Sequence, residues 1–139
     1  MSNSAANKAP IWFWIISIIA LIWNCMGAYH YLIQAYNTES YQAMYTPEQL
    51  EIVANMPAWV TAAFAISVFG GVLAAIGLIL KKSWSVKLWY VSLLAVLAQM
   101  GYILINAYAS SVGMTIMIIV LALFFVWFAR KSEANGWLS

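Results

Sequence analysis

Four stretches of this chain, residues 11–35, 58–80, 88–108 and 114–129, contain no Asp, Glu, Lys or Arg. Nothing else in the sequence restricts the fold so strongly. A surface helix of a soluble protein carries a polar face with a 3.6-residue period, and these stretches have no charged side chain to build one. An α-helix rises about 1.5 Å per residue, so about 20 apolar residues cross a hydrocarbon layer about 30 Å thick. Within that layer the backbone must satisfy its own hydrogen bonds, which a helix does without help. The chain is therefore expected to be all-α, a polytopic membrane four-helix bundle forming a single transmembrane domain over residues 1–139. Composition agrees: 7% of residues are charged, against about 25% in soluble domains. A net charge of +2, held at the span ends, argues against nucleic acid as a partner.

The segments between the stretches can be read in turn. Only Lys8 precedes the first apolar run as a basic flank, and no Ala-x-Ala site follows it, so it reads as a retained span. Residues 36–56 are polar. Within them Thr46-Pro47-Glu48-Gln49 has the form of a capping box, with proline at the first helical position. Leu50, Val53 and Ala54 then share a face, which predicts a short amphipathic helix on the extracytoplasmic surface. Such a helix is either a lid over a cavity or an inert connector. In the second span Ala63, Ser67, Gly71 and Ala75 recur every four residues. Small side chains let helices approach closely in lipid, so this span is expected to be the packing centre, with a Gly70-Gly71 hinge as the alternative. Its small-residue face could also serve a second copy. The fourth span is almost uniformly apolar and is expected to be the most lipid-exposed.

Orientation follows from the basic residues. Lys8, Lys81, Lys82, Lys87, Arg130 and Lys131 all fall on one side, which predicts cytoplasmic termini and a cytoplasmic central turn over residues 81–87. Trp12, Trp14, Trp84, Trp89 and Trp127 then form an inner aromatic belt, and Tyr36, Tyr41, Tyr45, Trp59 and Tyr108 an outer one. Trp23 belongs to neither.

Polar residues inside the spans mark where function should be sought. Asn24 lies thirteen residues beyond Ile11, roughly 20 Å along the helix, where an amide needs a protein partner or a wet cavity. At about 100° per residue Ser17, Asn24 and Tyr31 share one stripe, with Gly27, His30 and Gln34 on its flank. The third span repeats the arrangement with Ser92, Gln99 and Asn106, and Tyr102 on the same side. Both spans run in the same direction, so the polar groups match in depth, and the two helices should face each other or face one cavity. Two explanations compete. Asn24 and Gln99 either bond as interhelical glue, typically contributing about 0.5–2 kcal/mol, or line a cavity with Trp23, Tyr31, Tyr102 and Asn106. Amides, hydroxyls and flat aromatic faces together suit an uncharged polar molecule such as a sugar or polyol.

Other chemistries lack their residues. There is no Asp, and all four Glu lie outside the spans. His30 is the only titratable side chain that could serve proton coupling, and near a helix end it reads as hydrogen-bonded structure. Cys25 is the only cysteine and reads as a small apolar residue. The methionines share no short motif, and no nucleophile–base or paired-carboxylate set exists, so neither a metal, a cofactor nor an enzyme is expected.

The stretches Leu21-Ile22-Trp23-Asn24-Cys25-Met26-Gly27, Asn55-Met56-Pro57-Ala58-Trp59, Ala62-Ala63-Phe64-Ala65 and Phe69-Gly70-Gly71 together resemble a group of small, largely uncharacterised four-span bacterial inner-membrane proteins, sometimes labelled sugar transporters. That resemblance implies a bacterial cytoplasmic membrane and transport of a small polar solute. The Trp23-Asn24 pair also resembles the sugar site of the half-size SWEET transporters. Those have three spans with proline hinges, whereas the first three spans here have no internal proline. Beyond the lipid bilayer, the expected partners are a small neutral ligand and either a second copy or another membrane protein; the runner-up function is a non-catalytic accessory subunit of a larger complex.

Overall fold

The computed structural model describes residues 8–106 and 112–139. They form six helices and no strand: α1 (Ile11–Ala35), α2 (Glu39–Met44), α3 (Pro47–Ala54), α4 (Ala58–Ile79), α5 (Trp84–Ile105) and α6 (Val112–Ala134). Helices α1, α4, α5 and α6 are long and apolar enough to cross a membrane. The chain is a four-helix bundle of multi-pass membrane type, with α2 and α3 as short helices between the first two spans.

Two boundaries differ from the hydropathy reading. Helix α5 begins at Trp84, so the connection to α4 is confined to residues 80–83. Ser85 Oγ donates to the Ala74 carbonyl at 2.6 Å, tying that first turn to α4. Helix α6 continues past Arg130 and Lys131 to Ala134, because Arg and Lys are good helix formers even where they end an apolar run. The Lys131 ammonium sits 5.4 Å from the Trp127 ring centre, a cation–π contact that keeps its stem along the helix. Tyr108, Ser110 and Ser111, where the third span was expected to end and turn, lie outside the described residues.

Three of the long helices close in the same way. Asn37, Lys81 and Gly136 take positive φ after α1, α4 and α6. The following amides of Thr38, Lys82 and Trp137 reach back to the carbonyls of Ile33, Gly77 and Ser132 at 3.1, 2.8 and 2.9 Å. These are Schellman closures, and they satisfy carbonyls that lipid could not. The predicted capping box is present at α3: Thr46 Oγ1 accepts from the Gln49 amide at 3.2 Å, and Gln49 Oε1 accepts from the Thr46 amide at 3.0 Å.

Helix α4 is the centre of the bundle, packed between α1 and α5, while α6 packs on α5. Glycines permit this closeness. A Cβ at Gly77 would lie 2.8 Å from the Trp84 ring and 2.9 Å from Ser85 Cβ; one at Gly27 would lie 2.9 Å from Val68. One at Gly71 would overlap Asn24 Oδ1 and stand 2.6 Å from its Cγ. The small-residue face of α4 (Ala63, Ser67, Gly71, Ala75) is buried inside the chain, so it is not free for a second copy. Helices α1 and α6 do not pack along their length. They meet at one end, where the rings of Trp12 and Phe13 contact Phe128 and Trp137 at 5.1–6.0 Å. Backbone bonds from Ser83 to Ser139 and from Ser139 to Lys81 fasten residues 137–139 across that end.

Exposure corrects the belts and the fourth span. Trp12, Trp84 and Trp127 are exposed as a belt requires, but Trp89 is buried in the core, and Tyr41 is buried rather than facing a headgroup layer. Helix α6 is no more exposed than α1 or α5; it presents Ile116, Met117, Val120, Leu123 and Trp127 outward and buries Thr115, Phe125, Val126 and Phe128. Replacing Gly71 by alanine should lower thermal stability in detergent by about 1–3 kcal/mol through overpacking against Asn24. Gly101, where a Cβ meets nothing within 4 Å, should accept alanine with no loss or a gain of up to about 1 kcal/mol. Equal melting of both variants would show that the α1–α4 contact is not close-packed at Gly71.

Candidate functional site

The open side between α1 and α6 leads into a cavity of about 640 Å³ lined by all six helices. That volume lies within the usual range for small-molecule sites, about 300–1,000 Å³. On α1 the lining residues are Trp23, Asn24, Met26, Gly27, His30 and Gln34, and on α5 Trp89, Ser92, Val96, Gln99, Met100 and Ile103. Ser67 of α4 and Thr115, Ile118, Ala122 and Phe125 of α6 complete the wall. Both sets follow spacings of three and four, as one face of a helix must. No Asp, Glu, Lys or Arg is among the lining residues.

Polar groups in the wall differ in how they are satisfied. Ser92 Oγ donates to the Ser67 carbonyl at 2.7 Å, and Ser67 Oγ donates to the Phe64 carbonyl at 2.7 Å, so both hydroxyl protons are used within the bundle. Asn24 Nδ2 donates to the Ala20 carbonyl one turn back at 2.8 Å, and its Oδ1 lies against Gly71. Gln99 is 8% exposed, lines the cavity, and its amide has no hydrogen-bond partner among the described residues. The Trp89 indole N–H and, deeper in α1, the Ser17 hydroxyl are fully buried with no partner among the described residues. Asn24 and Gln99 thus share one cavity and do not bond to each other. Interhelical glue here runs through the serines instead.

Of the six residues expected at the site, Trp23, Asn24 and Gln99 line the cavity; Tyr31, Tyr102 and Asn106 do not. The cavity-facing stripe of α1 runs through Trp23, Gly27, His30 and Gln34, about a quarter turn from the Asn24–Tyr31 line. At the depth of Asn24 that flank still reaches the cavity. At Tyr31 it is filled by α4, whose Phe64 and Phe69 rings stand edge-on at 5.4 and 5.7 Å. Tyr102 lies about 100° from the lining residue Ile103 and packs edge-on to Trp59 at 5.4 Å, on the side of α4. Asn106 ends α5 and donates to the Tyr102 carbonyl at 2.9 Å, as an exposed cap. Sequence patterning missed Trp89 because a tryptophan near a span end reads as a belt residue. It missed Ser67 because a serine among small residues reads as packing.

The short helices lie over the cavity rather than beside it. Met44 and Tyr45 after α1, and Gln49, Ile52 and Val53 of α3, line its outer part. Tyr45 is held by a 3.0 Å hydrogen bond between its hydroxyl and His30 Nε2. The rings of Tyr41, Tyr45 and Phe64 surround that imidazole at 5.9–6.1 Å. His30 is therefore part of a structural aromatic cluster, as its place near the helix end implied, and it also faces the cavity. Of the two readings for this segment, the arrangement is that of a lid. Opposite the lid, the Trp89 and Phe125 rings pack at 4.9 Å, tilted by 34°, above a core of Phe13, Leu78, Phe128 and Ala129, which closes the other end.

No family model, curated protein or solved structure matches this chain. Among the described residues no group of three or more His, Cys, Asp or Glu side chains could hold a metal ion.

Burial holds the Tyr45 hydroxyl above the ordinary tyrosine range, and burial followed by the charge of Tyr45 does the same for Tyr41. The closed lid keeps these protons after an open lid has lost them. Its stability is fully present below about pH 10 and falls as pH rises above it. Hydrogen exchange across α2 and α3 should accelerate on raising the pH through that range, after correction for the intrinsic rate. Tyr45→Phe, which lacks the bond at any pH, should raise exchange there about fivefold at neutral pH (~1 kcal/mol for one hydrogen bond) and respond less to alkali. Unchanged exchange in the variant would show that the lid is held by its backbone alone.

Proposed function

We propose that this protein binds an uncharged small molecule carrying polar groups in the cavity between α1 and α6, and facilitates its passage across a bacterial cytoplasmic membrane. One observation carries the reading: Gln99, a buried residue, faces the cavity with an amide that has no partner among the described residues. An amide in that position has two donors and an acceptor ready for a ligand. A lining without Asp, Glu, Lys or Arg favours a neutral ligand, since a desolvated ion would lack a counter-charge. The resemblance to four-span proteins labelled sugar transporters points the same way.

The start of α1, the α4–α5 turn and residues 137–139 share one end of the bundle. Its lysines and arginine support a cytoplasmic position for that end, which would turn the lid outward. Fusion of a reporter that fluoresces only in the cytoplasm to the C-terminus should give signal. A reporter active only outside should give none.

The alternative is an accessory subunit docking through the outward face of α6 (Ile116, Met117, Val120, Leu123, Trp127), which is exposed. It calls for the polar seam to be glue. The two readings separate in Gln99→Ala. As a ligand group Gln99 gives up no interhelical hydrogen bond on replacement, whereas as glue its loss costs about 0.5–2 kcal/mol. In a thermal-shift panel of sugars, polyols and neutral lipids, a compound at a hundred times its Kd should stabilise wild type by about 2.7 kcal/mol. It should fail to stabilise Asn24→Ala or Gln99→Ala. Early melting of both variants with no stabilising compound would instead favour the accessory role.

A further inference from the structure

Three residues both line the cavity and are exposed: Met26 on α1 at 61%, Met114 on α6 at 50% and Met44 beside the lid at 57%. Met26 and Met114 flank the side where α1 and α6 do not pack along their length. Met26 lies fifteen residues beyond Ile11, roughly 23 Å along α1 and so within a hydrocarbon layer about 30 Å thick. Its exposed neighbours Ile22 and Tyr29, and Met117 on α6, continue a lipid-facing surface on both sides. The gap therefore opens into hydrocarbon. Methionine is flexible and polarisable, which suits a passage bordered by moving chains. Inward from it, Ile118 and Ala122 of α6 and Met100 and Ile103 of α5 form an apolar wall leading to Gln99.

Resting on the reading of this cavity as a ligand site, we infer that the ligand is a neutral amphiphile with a hydroxyl or carbonyl head, taken up sideways from the bilayer between α1 and α6. The head bonds to the Gln99 amide, which donates to a carbonyl or accepts from a hydroxyl. The tail lies along the apolar wall and leaves between Met26 and Met114. A sugar or polyol is poorly suited to this route, because its hydroxyls would be stripped of water before reaching Gln99. A lining without Asp, Glu, Lys or Arg disfavours a carboxylate or ammonium head.

The test uses the full chain in lipid nanodiscs with tritiated 1-dodecanol as the probe, counted above empty nanodiscs. Binding should saturate and be displaced by tridecan-2-one, but not by glucose or dodecanoate. Gln99→Leu, similar in volume, should weaken dodecanol binding at least fivefold while the protein melts normally. Met26→Trp, on the exposed flank of the gap, should slow uptake and release alike by several-fold. Glucose stabilisation that depends on Gln99, without saturable dodecanol binding, would overturn lateral uptake of an amphiphile and leave the cavity reading standing. Absence of binding by either compound would overturn both. Dodecanol binding indifferent to Gln99, or displaced equally by dodecanoate, would mark adsorption to the lipid-facing surface and overturn the inference.

Discussion

The close approach of α4 to α1 and α5 is the constraint on which the rest depends. Lipid tails are as apolar as leucine, so helices in a bilayer associate through packing and hydrogen bonds rather than expulsion from water. This chain meets that condition with glycines set where neighbouring atoms would occupy a side chain, at Gly27 against Val68, Gly71 against Asn24 and Gly77 against Trp84. Serine hydroxyls bond to carbonyls across the α4–α5 contact at Ser92 and Ser85. Their partners are backbone groups of α4, where the absence of large side chains makes carbonyls reachable.

That choice leaves the fourth side of the bundle unclosed. With α4 taking both α1 and α5, and α6 packed on α5 alone, the pair α1 and α6 meets only through aromatic rings at one end. Bulky rings hold two helix ends apart while filling the space between them. Away from that plug lies a cavity whose polar lining includes Asn24 and His30 of α1, Ser67 of α4, Ser92 and Gln99 of α5 and Thr115 of α6. The lid extends α1 through a Schellman turn at Asn37 and folds back on His30. The cavity, its plug and its lid are thus consequences of one asymmetric packing.

The polar seam was legible as a pair of helices but not as a set of contacts. Asn24 and Gln99 could be assigned to a common depth because each helix advances by a fixed rise, and both line the same cavity. Tyr31 and Tyr102 could not be excluded, because periodicity tells which residues share a stripe and not which neighbour covers that stripe at each level. Helix α4 covers it at both tyrosines, with Phe64 and Phe69 in one place and Trp59 in the other. Trp89 shows the converse. Its distance from the span end suits an interfacial belt, yet its ring is buried against Phe125.

By itself the sequence determined the number of spans, the all-helical class, the capped helix at Thr46 and the depth of each polar residue. All of these follow from local rules: the uncharged run lengths, the capping chemistry and the helical rise. Only the tertiary structure decided that α1 and α5 flank a cavity rather than each other, that the short helices cover it, and that Gln99 faces it without a partner among the described residues. Those outcomes depend on which helix occupies the space between two others. The spacing of residues along one helix does not encode that choice, whereas the fit of small residues against larger ones on separate helices does.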